Sequence, residues 1–223
     1  MLDYTAEGVR ASHDDTLARL KGGAAAIEGL RVHDCDSPER YAEAMARGGA
    51  VDGLVALRSE GKIKAVSIGL NDSGVALRMV RGKPAGTFDC VMIAGAWNLI
   101  DQDGLELMRE CQARGIDVHN AGAFASGILV GGSSYKYGKA PDEVNAKVDK
   151  WGKLAVKYAT PMPVLAIAFA LLPAAVSRLA VGLKSPDEVH QAVAWVDQAA
   201  SVPPELWREA KAHGLIVDGL ELP

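Results

Sequence analysis

What this 223-residue chain has little of limits it first. Three cysteines, Cys35, Cys90 and Cys111, stand far apart and in odd number, which fits neither a disulfide framework nor a zinc site, so no metal is expected. They read as reduced thiols of a cytoplasmic protein. Neither sign of charge dominates: 24 Lys and Arg against 28 Asp and Glu, interspersed along the chain, give a net charge of -4 and no basic stripe for nucleic acid or an anionic membrane. The most apolar stretch, Val164 to Leu172, is half the length needed to span a bilayer, and Met1 to Thr5 lacks a charged segment leading into an apolar one. Membrane insertion and export are therefore not expected. No G-x-G-x-x-G follows the first apolar run and no Walker sequence occurs anywhere, which removes the usual signatures of an open doubly wound nucleotide-binding sheet.

What is present, 49% hydrophobic and 23% charged residues with 24 Gly, suits one globular α/β domain over residues 1–223 with small molecules as its partners. Five short apolar runs, Leu30–His33, Ala65–Gly69, Cys90–Ala94, Ile116–Asn120 and Leu179–Val181, are bounded by Gly, Asp or Asn and read as strands. Segments of helical period lie between them: Thr5–Leu20, Glu39–Glu60, Ser73–Arg81, Gly104–Arg114, Asp142–Tyr158, Val164–Leu172, Pro186–Ala200 and Pro204–His213. In the fifth of these, Val144, Val148, Trp151, Ala155 and Tyr158 recur at spacings of four and three and must face a core. Ser37 before Pro38, and Ser185 before Pro186, are helix starts in which the hydroxyl caps free amides and proline takes the first helical position. Strands alternating with helices indicate a parallel sheet joined by crossover helices. A (β/α)8 TIM barrel takes about 250 residues and eight strands. The count here is about three strands short.

Barrel enzymes place their chemistry where strands end. The strand ends carry His33 and Asp34, Asn71, the run Gly95 to Asn98, the run Asn120 to Ser126, and Gly182-Leu183-Lys184-Ser185. An imidazole at His33 either orients a substrate oxygen or satisfies a backbone carbonyl, and position alone does not choose between them. His13, His119, His190 and His213 fall on helix faces or in mid-strand and read as structural or solvated. At the last strand end, Gly182 lets backbone approach a ligand while Lys184 and Ser185 open a helix; amides, a hydroxyl and an ammonium together suit a phosphate. A capped helix with a solvated lysine fits the same residues. Trp97, Asn98, Tyr135 and Tyr137 are candidate pocket walls.

Val181-Gly182-Leu183-Lys184-Ser185-Pro186-Asp187-Glu188-Val189 resembles the cofactor-clamping segment of the aldo/keto reductase family, with valine in place of the usual proline before Gly182. Ala192 stands where the family has an asparagine that touches adenine, with Gln191 beside it as a substitute. Val32-His33-Asp34 resembles the strand end with the family's active-site histidine, and Arg58 to Asn71 the unit ending in the asparagine that holds the nicotinamide carboxamide. Ala121 to Leu129 resembles the seventh strand and the loop over the cofactor pyrophosphate, which includes Ser126, although Ala121 falls where the family has a stacking aromatic. Tyr135 to Pro141, Val202 to Trp207 and Lys211 to Ile216 are similar to the branch of D-threo-aldose, L-fucose and pyridoxal 4-dehydrogenases.

The resemblance implies a partial barrel, strands four to eight without the first three βα units, in an N-terminally incomplete domain. It implies an NAD(P)-dependent oxidoreductase acting on the anomeric hydroxyl of an aldose or a related alcohol or aldehyde. His33 would be its catalytic residue, and Asn71, Ser126, Gly182, Lys184, Ser185 and Glu188 would hold NADP or NAD. The family's tyrosine, lysine and aspartate belong to the first three units, and Tyr4 matches a different position, at the head of the helix leading to His33. The alternative is a non-catalytic remnant that binds a nucleotide or a partner protein. An open barrel would expose strand edges and an apolar face, which favours a homo-oligomer.

Overall fold

In the computed structural model, which describes residues 2–20, 27–136 and 138–223, each of the five apolar runs is a strand. They are β1 (Gly29–His33), β2 (Ala65–Leu70), β3 (Cys90–Ala94), β4 (Asp117–Ala121) and, after a short antiparallel pair β5 (Ser134–Tyr135) and β6 (Gly138–Lys139), β7 (Val176–Ala180). The sheet order is β1-β2-β3-β4-β7, with every neighbouring pair parallel. The expected last strand, Leu179–Val181, begins earlier, because Val176 pairs with Val118 before the register slips between Val118 and His119.

The helices are α1 (Ala6–Arg19), α2 (Pro38–Met45), α3 (Ala50–Ser59), α4 (Ser73–Arg81), α5 (Leu105–Arg114), α6 (Asp142–Lys157), α7 (Met162–Ala170), α8 (Pro186–Ala199) and α9 (Pro204–Ala212). Among the described residues no helix is long and apolar enough to cross a membrane. One expected helix, Glu39–Glu60, is two. The chain breaks where Gly48 takes a left-handed φ of 78° and Gly49 sits so close to α2 that a Cβ there would lie 2.2 Å from the Glu43 carbonyl oxygen. Ser37 caps α2 by accepting from the Arg40 amide at 3.3 Å, as its sequence position implied.

Period-two burial sorts the strands. Val66, Ile68, Val91, Ile93 and Val118 are fully buried in the core, toward the helices. The stripe on α6 also faces the core: Val144, Trp151 and Ala155 are buried, and the Trp151 indole donates to the Leu99 carbonyl at 2.9 Å. The opposite sheet face is concave and polar. Arg31 of β1 reaches Ser67 of β2, Met92 of β3 and His119 of β4 with one guanidinium, so side chains three strands apart meet across the curl of the sheet.

Candidate active site

Two confluent cavities lie at the C-terminal edge of the sheet and share Gly122, Ser126, Ala180 and Gly182. The smaller, of about 620 Å³, runs along the entrance of α8, and the larger, of about 1060 Å³, lies over the ends of β2, β3 and β4. Their shared walls are made of small residues, which leaves the passage open. Gly122 is needed there for its backbone: its φ is 85°, and an added Cβ would meet the Gly95 amide at 3.0 Å.

Asn71, Ser126 and Gly182 line the larger cavity, and Ser126, Gly182, Lys184 and Glu188 line the smaller, so most of the residues singled out from the sequence are brought together. Ser126 and Ala125 both have left-handed backbones, at φ of 59° and 47°, inside a kinked 3-10 helix over Ala125–Val130. Such strain in non-glycine residues concentrates at functional sites. At the start of α8, the Ser185 hydroxyl accepts from the Glu188 amide at 3.2 Å while Glu188 Oε2 accepts from the Lys184 amide at 2.8 Å. This reciprocal capping occupies two of the amides that the sequence offered to a phosphate. The Ser185 O–H remains able to donate outward, and so does the Lys184 ammonium, whose side chain is 89% exposed and whose one carboxylate neighbour among the described residues is Glu188 Oε1 at 3.8 Å.

The aromatic wall of the smaller cavity escaped the sequence reading. Phe124 and Trp195 meet edge to face at 5.8 Å and line it together with Gln191. Trp195 had one available signal: it lies one helical turn beyond Gln191, on the helix that Ser185 and Pro186 open. Ala192 is buried, whereas Gln191 faces the cavity.

In the larger cavity, Tyr135 donates to Asp101 Oδ1 at 2.6 Å and the Lys136 ammonium stands 2.9 Å from the same oxygen. Burial and the hydrogen bond to Asp101 push the Tyr135 hydroxyl above its ordinary pKa, so it is held as a donor to Asp101. Asp101 is itself fixed by Asn98, whose side-chain oxygen accepts from the amides of Ile100 and Asp101 at 2.9 Å. Asn98 and Tyr135 thus belong to this cavity's wall, and Tyr137 lies outside the described residues.

Trp97 does not belong to that wall. It is fully buried, stacks on Phe169 at 5.0 Å and donates to the Leu172 carbonyl, which makes it a core residue. Asn120 is buried too, its amide donating to the carbonyls of Trp97 and Ala170.

His33 lines neither cavity. Its side chain is 60% exposed and its Nδ1 lies 3.1 Å from Asp34 Oδ2. Tyr4, buried just before α1, donates its hydroxyl to the carbonyl oxygens of His33 and Asp34, each at 2.9 Å. The tyrosine therefore fixes the strand end that presents the histidine. All three cysteines are buried and unpaired, and burial pushes Cys35 up to about 11 and Cys111 to about 12, which keeps both as thiols.

Comparison with known proteins gives these features a setting. The model of the aldo/keto reductase family matches residues 1–205. Pyridoxal 4-dehydrogenase of Microbacterium luteolum is 33% identical over 227 aligned residues, covering 97% of this chain and 64% of that protein. D-threo-aldose 1-dehydrogenase of a Pseudomonas species is 31% identical over 220, covering 96% of the chain and 64% of its own length. The chain thus spans just under two thirds of these relatives. The solved apo aldo-keto reductase AKR11C1 of Bacillus halodurans superposes with a TM-score of 0.69 at 19% identity, over 97% of this chain and 70% of that one. Motif order, sheet topology and the family match converge, and the chain belongs to the aldo/keto reductase family.

Proposed function

We propose that this chain is the nucleotide-holding and substrate-positioning part of an NAD(P)-dependent oxidoreductase acting on an aldose or a related alcohol or aldehyde. The observation that carries this is the pair of confluent cavities, one with a base-sized aromatic wall beside Lys184 and Ser185, the other opening over Asn71. Each lies near the usual range for ligand sites, roughly 300–1,000 Å³. The small residues at their junction leave room for a linear ligand, and an added Cβ at Gly182 would meet nothing within 4 Å. A nicotinamide dinucleotide fits that arrangement.

When bound, the nicotinamide would supply hydride transfer to or from a carbonyl carbon. Asn71 would hold its carboxamide, and Ser126 and Gly182 would line the pyrophosphate. Lys184 and the Ser185 hydroxyl would meet phosphate, and Gln191, Phe124 and Trp195 would frame the adenine. Glu188 acts on the same segment from below, holding the Lys184 amide. His33, oriented by Asp34 and anchored through Tyr4, would position the substrate oxygen. The five strands correspond in this reading to strands four to eight of the barrel, in one domain over residues 1–223. Its open edges at β1 and β7, with the exposed row Val189, Val193 and Val196 on α8, favour self-association. A monodisperse monomer by light scattering contradicts that last element.

A second reading, a nucleotide binder without turnover, is favoured by one observation. Among the described residues, the tyrosine in the larger cavity is tied to Asp101 with its pKa raised, so it is poorly set to pass a proton near neutrality. Nicotinamide absorbance with L-fucose, D-arabinose and pyridoxal as substrates separates the two. Turnover above background supports the oxidoreductase, and dinucleotide binding without turnover supports the second reading.

A further inference from the structure

The concave face of the sheet holds a cationic cluster that the proposed reaction does not use. Arg31 donates through Nε to Ser67 at 3.0 Å, and its two terminal nitrogens lie 3.1 Å from Met92 Sδ and 3.2 Å from His119 Nδ1. A guanidinium has five N–H donors and no acceptor, so three are used and two are left. One of its partners is a thioether, a weak acceptor. Among the described residues neither Arg31 nor Arg178 has a carboxylate within ion-pair distance. Arg178 of β7 pairs in register with His119 of β4, is exposed, and its charge is felt at the imidazole. Because His119 Nδ1 accepts from Arg31, the neutral ring carries its hydrogen on Nε2 as a further donor. Asp117, two residues before His119, is the acidic group acting on the imidazole, and His33 shares the face, since an added Cβ at Gly69 would lie 2.8 Å from both the His33 ring and the Arg31 side chain.

We propose that this face binds an oxyanion, a carboxylate or phosphate group of a small molecule, between Arg31, His119 and Arg178. The planar fork of Arg31 matches two oxygens of such a group, with Arg178 and the His119 ring adding charge and a donor. A half-buried guanidinium without a carboxylate gains most from such a partner. Burial, Arg31 and Arg178 together hold the His119 pKa below its ordinary value, and Asp117 offsets this in part. A bound anion reverses the two cationic contributions, so His119 reports occupancy directly.

The test follows the His119 imidazole C–H signals of the 223-residue chain by NMR during titration with citrate and, separately, with inorganic phosphate, at ionic strength held constant with sodium chloride. The expected result is a saturable shift and a rise in the His119 pKa of about one unit. Arg31→Lys, which keeps the charge but loses the fork, should weaken binding about tenfold, and the exposed Arg178→Gln several-fold. Lys184→Ala should leave the shift unchanged, which separates this site from the entrance of α8. Saturation with citrate alone assigns a carboxylate ligand, and saturation with phosphate alone a phosphate. A shift that never saturates, or one that is undiminished in either arginine variant, overturns the proposal. Arg178 lies on the surface, so its variant keeps the test decisive if Arg31→Lys fails to fold.

Discussion

At the residue scale, Ser185 and Glu188 use their side chains on the first turn of α8, while Lys184 extends into solvent. The same sequence that reads as a phosphate clamp is thus a capped helix as well, and the two readings divide the residues between them. Tyr4 divides in the same manner. It lines neither cavity, and the structure gives it a holding task, with one hydroxyl serving two carbonyl oxygens at the end of β1. Tyr4→Phe should cost about 1 kcal/mol in urea unfolding, the net worth of an ordinary buried hydrogen bond. The His33 signals in an NMR spectrum should broaden or move at the same time. Unchanged stability and an unchanged His33 would show that the strand end is held by other contacts.

At the element scale, α6 ties its own core stripe to the segment after β3 through Trp151, which is fully buried and bonded to the Leu99 carbonyl. Trp151→Ala should cost about 3–5 kcal/mol by cavity formation and the orphaned carbonyl, whereas Val156→Ser on the exposed side, where Val156 is 83% exposed, should stay within about 0.5 kcal/mol. Thermal unfolding of the two variants checks both. That stripe was legible because spacings of three and four over a long segment are hard to produce otherwise. The strands were legible for a related reason: each is an apolar run cut off by Gly, Asp or Asn.

The break at Gly48 and Gly49 was hidden inside a continuous helical pattern, since alanines on both sides, with Met45 before and Leu54 and Leu57 after, keep the period, and only the close approach to Glu43 reveals it. The left-handed Ala125 and Ser126 carry no local signal, because neither residue type favours that backbone. The pair β5 and β6 is too short for any period to mark it. Trp97 was misread because a strand end can point a large ring inward, and what settles it is Phe169, 72 residues away in sequence.

At the scale of the whole molecule, a curved parallel sheet is backed by helices on one face, with two cavities at its C-terminal edge, and ionisable groups across the fold set its response to acid. His119 is held below its ordinary 6.5 by burial, then by Arg31 and Arg178. Asp52 is held below 3.8 by its bond to Lys83 and the Gly48 amide, and Glu110 and Glu209 below 4.5 by bonds to Arg81 and to Lys157. For every one of these groups the unfolded chain binds protons more tightly than the folded one. The stability these four groups contribute is therefore fully present above pH 6.5, begins to fall as His119 would protonate, and falls again below 4.5 as the carboxylates do. Urea midpoints at about pH 7.5, 5.5 and 4 should decrease in that order. A midpoint that rises on acidification would contradict these assignments.

The central claim is that the two confluent cavities are one dinucleotide site. Calorimetric titration of the 223-residue chain with NADPH and with NADH tests it most directly. At least one should bind with one-to-one stoichiometry. Lys184→Ala should weaken that binding about tenfold, the worth of one charge-assisted phosphate contact, and Trp195→Ala should weaken it as well. No heat with either dinucleotide, or equal binding in the parent chain and both variants, would contradict the account.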